Sequence, residues 1–171
     1  MMGSVVVIRY GHRAVRDERV TTHCCLVARA FGADKIIILG NSDEGLKKRI
    51  ENIVSRWGGD FKLCFKKSWL EEVKNLKKMG FKIVHLTMYG KPLQKKIAEI
   101  RKYKKIAVII GSKKVEAGVY VASDYNICVT KQPHSEIAAL AVFLDWYFDG
   151  SELSKEFPGA KLKAKEKVFK K

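Results

Sequence analysis

Acidic residues are scarce in this chain of 171 residues: 18 Asp and Glu stand against 34 Lys and Arg, a formal charge of +16. A field of that sign favours a polyanionic partner, nucleic acid foremost, because each neutralised phosphate releases a counterion and the attraction speeds encounter. Long apolar runs are absent as well. No stretch reaches the roughly 18 apolar residues of a membrane span, and no charged start leads into a short apolar stretch and a cleavage site, so a cytoplasmic protein is expected, without a membrane partner. Cysteine is limited to Cys24, Cys25, Cys64 and Cys128, with no C-x-x-C spacing and no nearby histidine pair. That excludes the common zinc frameworks and leaves buried thiols in a reducing compartment, with no metal expected. There is no G-x-x-x-x-G-K-[ST] and no G-x-G-x-x-G after a strand, so two common nucleotide-binding α/β classes lack their phosphate cradle. No carboxylate is spaced to complete a recognisable nucleophile triad.

What is present is a globular balance, 47% apolar and 30% charged, at a length suited to one domain. Short β-branched runs at Val5 to Ile8, Lys35 to Leu39, Phe61 to Phe65, Lys82 to Leu86, Lys105 to Ile110 and Asn126 to Val129 predict strands. Segments of helical period lie between and after them, at Thr22 to Phe31, Ser42 to Trp57, Ser68 to Met79, Pro92 to Tyr103, Glu116 to Ala122 and Glu136 to Phe148. Ser68 and Glu71 have the spacing of a capping box, and Gly32, Gly58, Gly80 and Gly150 follow helices where a left-handed residue closes the last turn. The alternation predicts an α/β fold, a mainly parallel sheet with helices on both faces, whose ligands sit at the carboxyl ends of the strands. The domain is expected over 1–150, followed by a lysine-rich, partly disordered tail over 151–171.

Three segments stand out. The arginines Arg9, Arg13, Arg16, Arg19 and Arg29 all precede the first lysine, Lys35. Guanidinium forks match phosphate geometry, and Arg9 to Arg13 is expected to end the first strand and open a substrate-facing loop. The run Thr130-Lys131-Gln132-Pro133-His134-Ser135-Glu136 joins a strand end to a helix start, a fitting place for a ligand loop. Taken alone, Ser135 reads as a helix cap and His134 as a hydrogen-bonded structural group. The helix from Glu136 is apolar on nearly every face, so it is either wholly internal or presents a second face to another copy of the chain.

Gly11-His12-Arg13, Arg16-Asp17, Arg19 to His23, Ala28 to Ala33, His85 to Gly90 and Gln132 to Glu136 together closely resemble the archaeal tRNA (cytidine(56)-2′-O)-methyltransferases of the SPOUT superfamily, collinearly over about residues 4 to 160. The resemblance implies a C-terminal deep trefoil knot that binds S-adenosylmethionine, a homodimer packed through the knot region, and tRNA as substrate. The matching cofactor positions are Leu86, then Ile110, Gly111, Ser112, Lys113 and Lys114, then Val129, Thr130, Lys131, Gln132, Pro133, His134 and Ser135. Arg29 matches the family's catalytic arginine and is expected to face the cofactor loops, with His23 or His134 as the base if Arg29 only positions. Arg9, His12, Arg13, Arg16 and His23 are the expected substrate contacts, helped by lysines of the 91–105 segment and the tail. The sequence departs from the family pattern at Ser112-Lys113-Lys114, where relatives carry an acidic residue, and at Thr130-Lys131. The weighed alternative is an RNA-binding protein of the same fold that does not catalyse transfer.

Overall fold

Six β-branched segments pair into one sheet: β1 (Ser4–His12), β2 (Lys35–Gly40), β3 (Lys62–Lys66), β4 (Lys82–Pro92), β5 (Lys105–Gly111) and β6 (Tyr125–Cys128). The computed structural model describes residues 3–13, 15–111 and 115–167. The strand order is β3-β2-β1-β5-β4-β6 and every pairing is parallel. The helices are α1 (Glu18–Ala30), α2 (Glu44–Trp57), α3 (Trp69–Lys78), α4 (Leu93–Ile100), α5 (Ala117–Ala122) and α6 (Glu136–Phe148), with a 3-10 turn at Ser151–Ser154.

Alternation along the strands builds two cores. Val5, Val7, Ile36, Ile38, Ile106 and Val108 face one side, where they pack with α1, α2, α4 and α6. Val6, Ile8, Ile37, Leu39, Ile83 and Ile109 face the other and meet Val73 and Leu76 of α3 and Val119 of α5. Period-two burial on both faces is what a central parallel sheet requires. The helix starts have local causes: the Asp43 side chain accepts from the Leu46 amide at 2.9 Å, Ser68 Oγ from Glu71 at 3.2 Å, and Ser135 Oγ from Ile137 at 3.1 Å.

Three departures from the sequence-based expectation bear on function. First, β1 does not end at Ile8. Arg9 and Tyr10 pair with Ile38 and Leu39 of β2 and with Ile110 and Gly111 of β5, because two neighbouring strands continue and satisfy the backbone on both sides. Second, β4 runs on to Pro92. Leu86 and Lys91 both lie opposite Ile127, so residues 87–90 bulge out of the pairing, with Gly90 alone close against β6: a Cβ there would meet the Asn126 and Ile127 backbone at 2.6 Å.

Third, the chain after Gly150 is docked through Leu162. The Gly59 amide donates to Pro158 O at 2.8 Å, and the amides of Lys161 and Leu162 donate to Arg56 O at 2.9 and 3.0 Å. The reason is chemical: a helix leaves its last carbonyls without partners, and this segment supplies donors for one of them at the end of α2. The segment up to Leu162 is thus tied to the end of α2.

Helix α6 resolves its own ambiguity. Leu140, Phe143, Leu144, Tyr147 and Phe148 are buried in the core, whereas Ala138, Val142 and Trp146 are exposed, the last two at 40% and 36%. Residues four apart share a helix face, so these three form one outward apolar stripe.

Candidate active site

In a parallel sheet, ligands gather where the strands end at their carboxyl edge. Here the ends of β4, β5 and β6 and the first turns of α6 enclose a cleft of about 160 Å³ lined by Leu86, Thr87, Met88, Ile110, Gly111, Val129, His134, Glu136 and Ala139. Five of the positions expected at the cofactor (Leu86, Ile110, Gly111, Val129 and His134) thus converge from three separate strand ends. Across Leu86, Thr87 and Gly111 the cleft continues into a larger hollow of about 850 Å³, also lined by His85, Tyr89, Val115, Ala117, Tyr120 and Val121. Together they reach the size of small-molecule sites, which run to some 300–1,000 Å³. Another hollow, of about 620 Å³ beside Lys82, Lys91, Lys96 and Glu99, lies along the β6 edge and shares only Tyr89 with these linings.

Thr130, Lys131, Gln132, Pro133, His134 and Ser135 form an exposed loop over the cleft. Its geometry selects the histidine's tautomer. His134 Nδ1 lies 2.7 Å from the Gln132 carbonyl, which can only accept, so in the neutral ring Nδ1 carries the proton and Nε2 the lone pair. Ser112, Lys113 and Lys114 lie outside the described residues.

Beneath the cleft is a pair that the sequence did not foretell. Arg9, fully buried, donates from Nη1 to Gly11 O at 2.7 Å and from Nη2 to Glu136 Oε1 at 3.0 Å. Burial raises the Glu136 pKa, and the Arg9 charge opposes that rise. His12 is buried too: its Nδ1 faces Thr21 Oγ1 at 2.9 Å and its Nε2 lies 3.5 Å from Asp43 Oδ2. Burial, and then the Arg9 charge, lower its pKa. Both residues were expected to meet substrate. In the fold Arg9 is fully enclosed, His12 keeps only a small accessible surface, and each ties β1 to a helix or its capping residue.

The remaining expected substrate contacts are exposed: Arg13, Arg16 and His23, with Arg13 paired to Asp17 at 3.0 Å across one turn. Arg13 also lines a hollow of about 300 Å³ with Tyr10, His12, Lys67 and Trp69, at the carboxyl ends of β1 and β2.

Arg29 stands elsewhere. Its Nη2 donates to Trp57 O at 2.9 Å and to Gly58 O at 2.7 Å, and its guanidinium lies 4.4 Å from the Phe157 ring centre. Helix α1 runs antiparallel to the strands: Thr21 neighbours His12 at the end of β1, while the Asp34 amide, just beyond the helix, bonds Val5 O at the start of β1. Eight residues of helix separate Thr21 from Arg29, about 12 Å at 1.5 Å per residue. Within one copy Arg29 therefore does not face the cleft: it closes α2 and the C-terminal segment at the opposite end of the sheet. Its carbonyl acceptors lie 28 and 29 residues downstream, beyond the reach of local pattern reading.

Among the described residues no group of three or more His, Cys, Asp or Glu side chains gathers as for a metal, and no helix is long and apolar enough to cross a membrane.

Comparison with known proteins agrees with this geometry. Residues 57–171 match the family model described as tRNA ribose 2′-O-methyltransferase, aTrm56. A tRNA (cytidine(56)-2′-O)-methyltransferase of Pyrococcus abyssi is 51% identical over 164 residues, 93% of this chain and 81% of that one. Its counterpart from Methanothrix thermoacetophila is 50% identical over 155 residues, 91% and 88% of the two chains. Among solved structures, a SpoU methyltransferase, AviRb of Streptomyces viridochromogenes, in complex with AdoMet, superposes with a TM-score of 0.61 at 12% identity, covering 85% of this chain and 56% of that one. The A. aeolicus TrmH/SpoU tRNA modifying enzyme gives 0.63 at 13% identity, covering 89% and 77%. At such identities the structures speak for the fold alone. The sequence relatives speak for more, and the chain belongs to the tRNA (cytidine(56)-2′-O)-methyltransferase family.

Proposed function

We propose that this chain transfers a methyl group from S-adenosylmethionine to the 2′-hydroxyl of cytidine 56 in tRNA, with the cofactor in the cleft at the carboxyl ends of β4, β5 and β6. The observation that carries the reading is the convergence of Leu86, Ile110, Gly111, Val129 and His134 on one cleft. The knotted path expected of the family is part of this reading.

The donor set suits such a cofactor. Aliphatic walls from Leu86, Ile110 and Val129 offer packing for a planar base, and the loop over 130–135 offers exposed backbone donors and acceptors. Glu136 contributes a carboxylate oxygen, Oε2, that is buried with no hydrogen-bond partner among the described residues. When bound, S-adenosylmethionine supplies an electrophilic methyl group. The chain must orient the ribose and accept its proton. His134 is suited to the second task, because Gln132 fixes its tautomer with Nε2 unprotonated at the rim of the cleft. Arg13, Arg16 and His23 are exposed and suited to hold tRNA phosphates, where the net charge of +16 adds attraction at longer range.

Two copies pack through the outward stripe of Ala138, Val142 and Trp146 in this reading, giving those apolar side chains a partner. The relatives' activity disfavours the alternative of an RNA-binding protein without catalysis. The test is methylation of an unmodified tRNA transcript with labelled cofactor. Label is expected on the ribose of nucleotide 56 and absent when that nucleotide is 2′-deoxycytidine; label elsewhere would overturn the assignment.

A further inference from the structure

The Arg9–Glu136 pair spends only half of its carboxylate. Oε1 accepts from Arg9 Nη2 at 3.0 Å, whereas Oε2 is buried and has no hydrogen-bond partner among the described residues. A buried carboxylate oxygen left without a donor is destabilising, and native folds seldom leave one without cause. Three observations point to a ligand as the cause. Glu136 lines the cleft together with Leu86, Ile110, Gly111 and Val129. Its side chain is 14% exposed while that of Arg9 is 0% exposed, so of the pair only Glu136 reaches the cleft. Arg9 is itself held by the carbonyl of Gly11, which keeps its charge against the carboxylate.

We infer that Glu136, anchored by Arg9, is the anionic contact for the positive charge of the bound methyl donor, and so distinguishes the methyl-bearing sulfonium from the neutral thioether left after transfer. This rests on the reading of the cleft as the cofactor site. The physical basis is that an ion in a dry cleft is costly unless a counter-charge is already in place, and a carboxylate with a free oxygen offers one without rearrangement. A neutral thioether gains nothing from that oxygen. Glu136 therefore raises affinity for the donor and leaves affinity for the product alone, which favours exchange after each turnover. Arg9 acts through Glu136 and is a positioning residue.

The experiment is direct binding by calorimetry, with S-adenosylmethionine and S-adenosylhomocysteine titrated separately into wild-type protein and Glu136→Gln. Glutamine keeps an oxygen for Arg9 and removes the charge. The substitution is expected to weaken S-adenosylmethionine at least about tenfold more than S-adenosylhomocysteine, since removing one member of a desolvated charge contact commonly costs that much. Should Glu136→Gln fail to fold, the double variant Arg9→Met with Glu136→Met removes both charges together, a change that buried ion pairs often tolerate, and it should lose the same preference. Equal weakening of both ligands, or of neither, would overturn the inference and mark the pair as structural. A wild-type protein that binds neither ligand would instead overturn the reading of the cleft.

Discussion

At the scale of single residues, the side chains that a pattern reading assigns to substrate divide by where their partners lie. Arg9, His12 and Arg29 occur in an arginine-rich stretch that reads as a phosphate grip, yet all three are buried and bonded to groups far along the chain or across the sheet. Sequence shows residue type and spacing, but not that Glu136, 127 residues later, starts a helix beside the end of β1. No local signal marked the pair, because a glutamate beside the Ser135 cap suits a helix start whether or not it meets a buried arginine. Burial has a consequence for pH. His85 is 2% exposed, with Nδ1 against Asn126 Oδ1 at 2.9 Å and its ring edge-on to Tyr120, and desolvation lowers its pKa. Below about pH 6.5 the unfolded chain takes up this proton before the folded one does, so stability falls as pH falls. His85→Gln should therefore be more destabilising at pH 7.5 than at pH 5.5, measured as the shift in urea midpoint. A pH-independent difference would show that His85 does not titrate differently on folding.

At the scale of elements, the order of strands and helices was legible because two cores impose period-two burial on the strands and amphipathic faces on most helices. What stayed hidden were the extensions of β1 and β4, which depend on neighbouring strands, and the docking of the chain after Gly150, which depends on the free carbonyls of α2. Helix α6 was legible only as ambiguous. Its two faces now separate the outcomes of substitution. Phe143, fully buried, contributes about 1.5–3 kcal/mol of apolar transfer, so Phe143→Glu should unfold the protein. Trp146→Glu lies on the outward stripe and should yield folded monomer from a dimeric wild type by light scattering. A wild type that is monomeric at micromolar concentration would remove the case for that stripe as an interface.

At the scale of the whole molecule, basic charge is spread over both the strand-end loops and the C-terminal segment, where Lys163, Lys165 and Lys167 are exposed. Affinity for tRNA should fall steeply with salt, by a slope of about 0.9 per phosphate neutralised, and converting these three lysines to Ala should flatten the slope without changing the nucleotide modified. Salt-independent affinity would exclude the basic surface as the RNA platform. We propose that the reaction takes place at the carboxyl ends of β4, β5 and β6 and that Arg29 takes no part in it. The direct measurement is the single-turnover methyl transfer rate of His134→Ala and Arg29→Ala side by side, each normalised to folded protein with cofactor bound. His134→Ala is expected to lose about a hundredfold or more, the scale of a missing general base. Arg29→Ala is expected to lose about 2–3 kcal/mol of stability through its two carbonyl bonds while its folded fraction transfers at a near wild-type rate. A fast His134→Ala and a folded but inert Arg29→Ala would contradict the account and return catalysis to the other edge of the sheet.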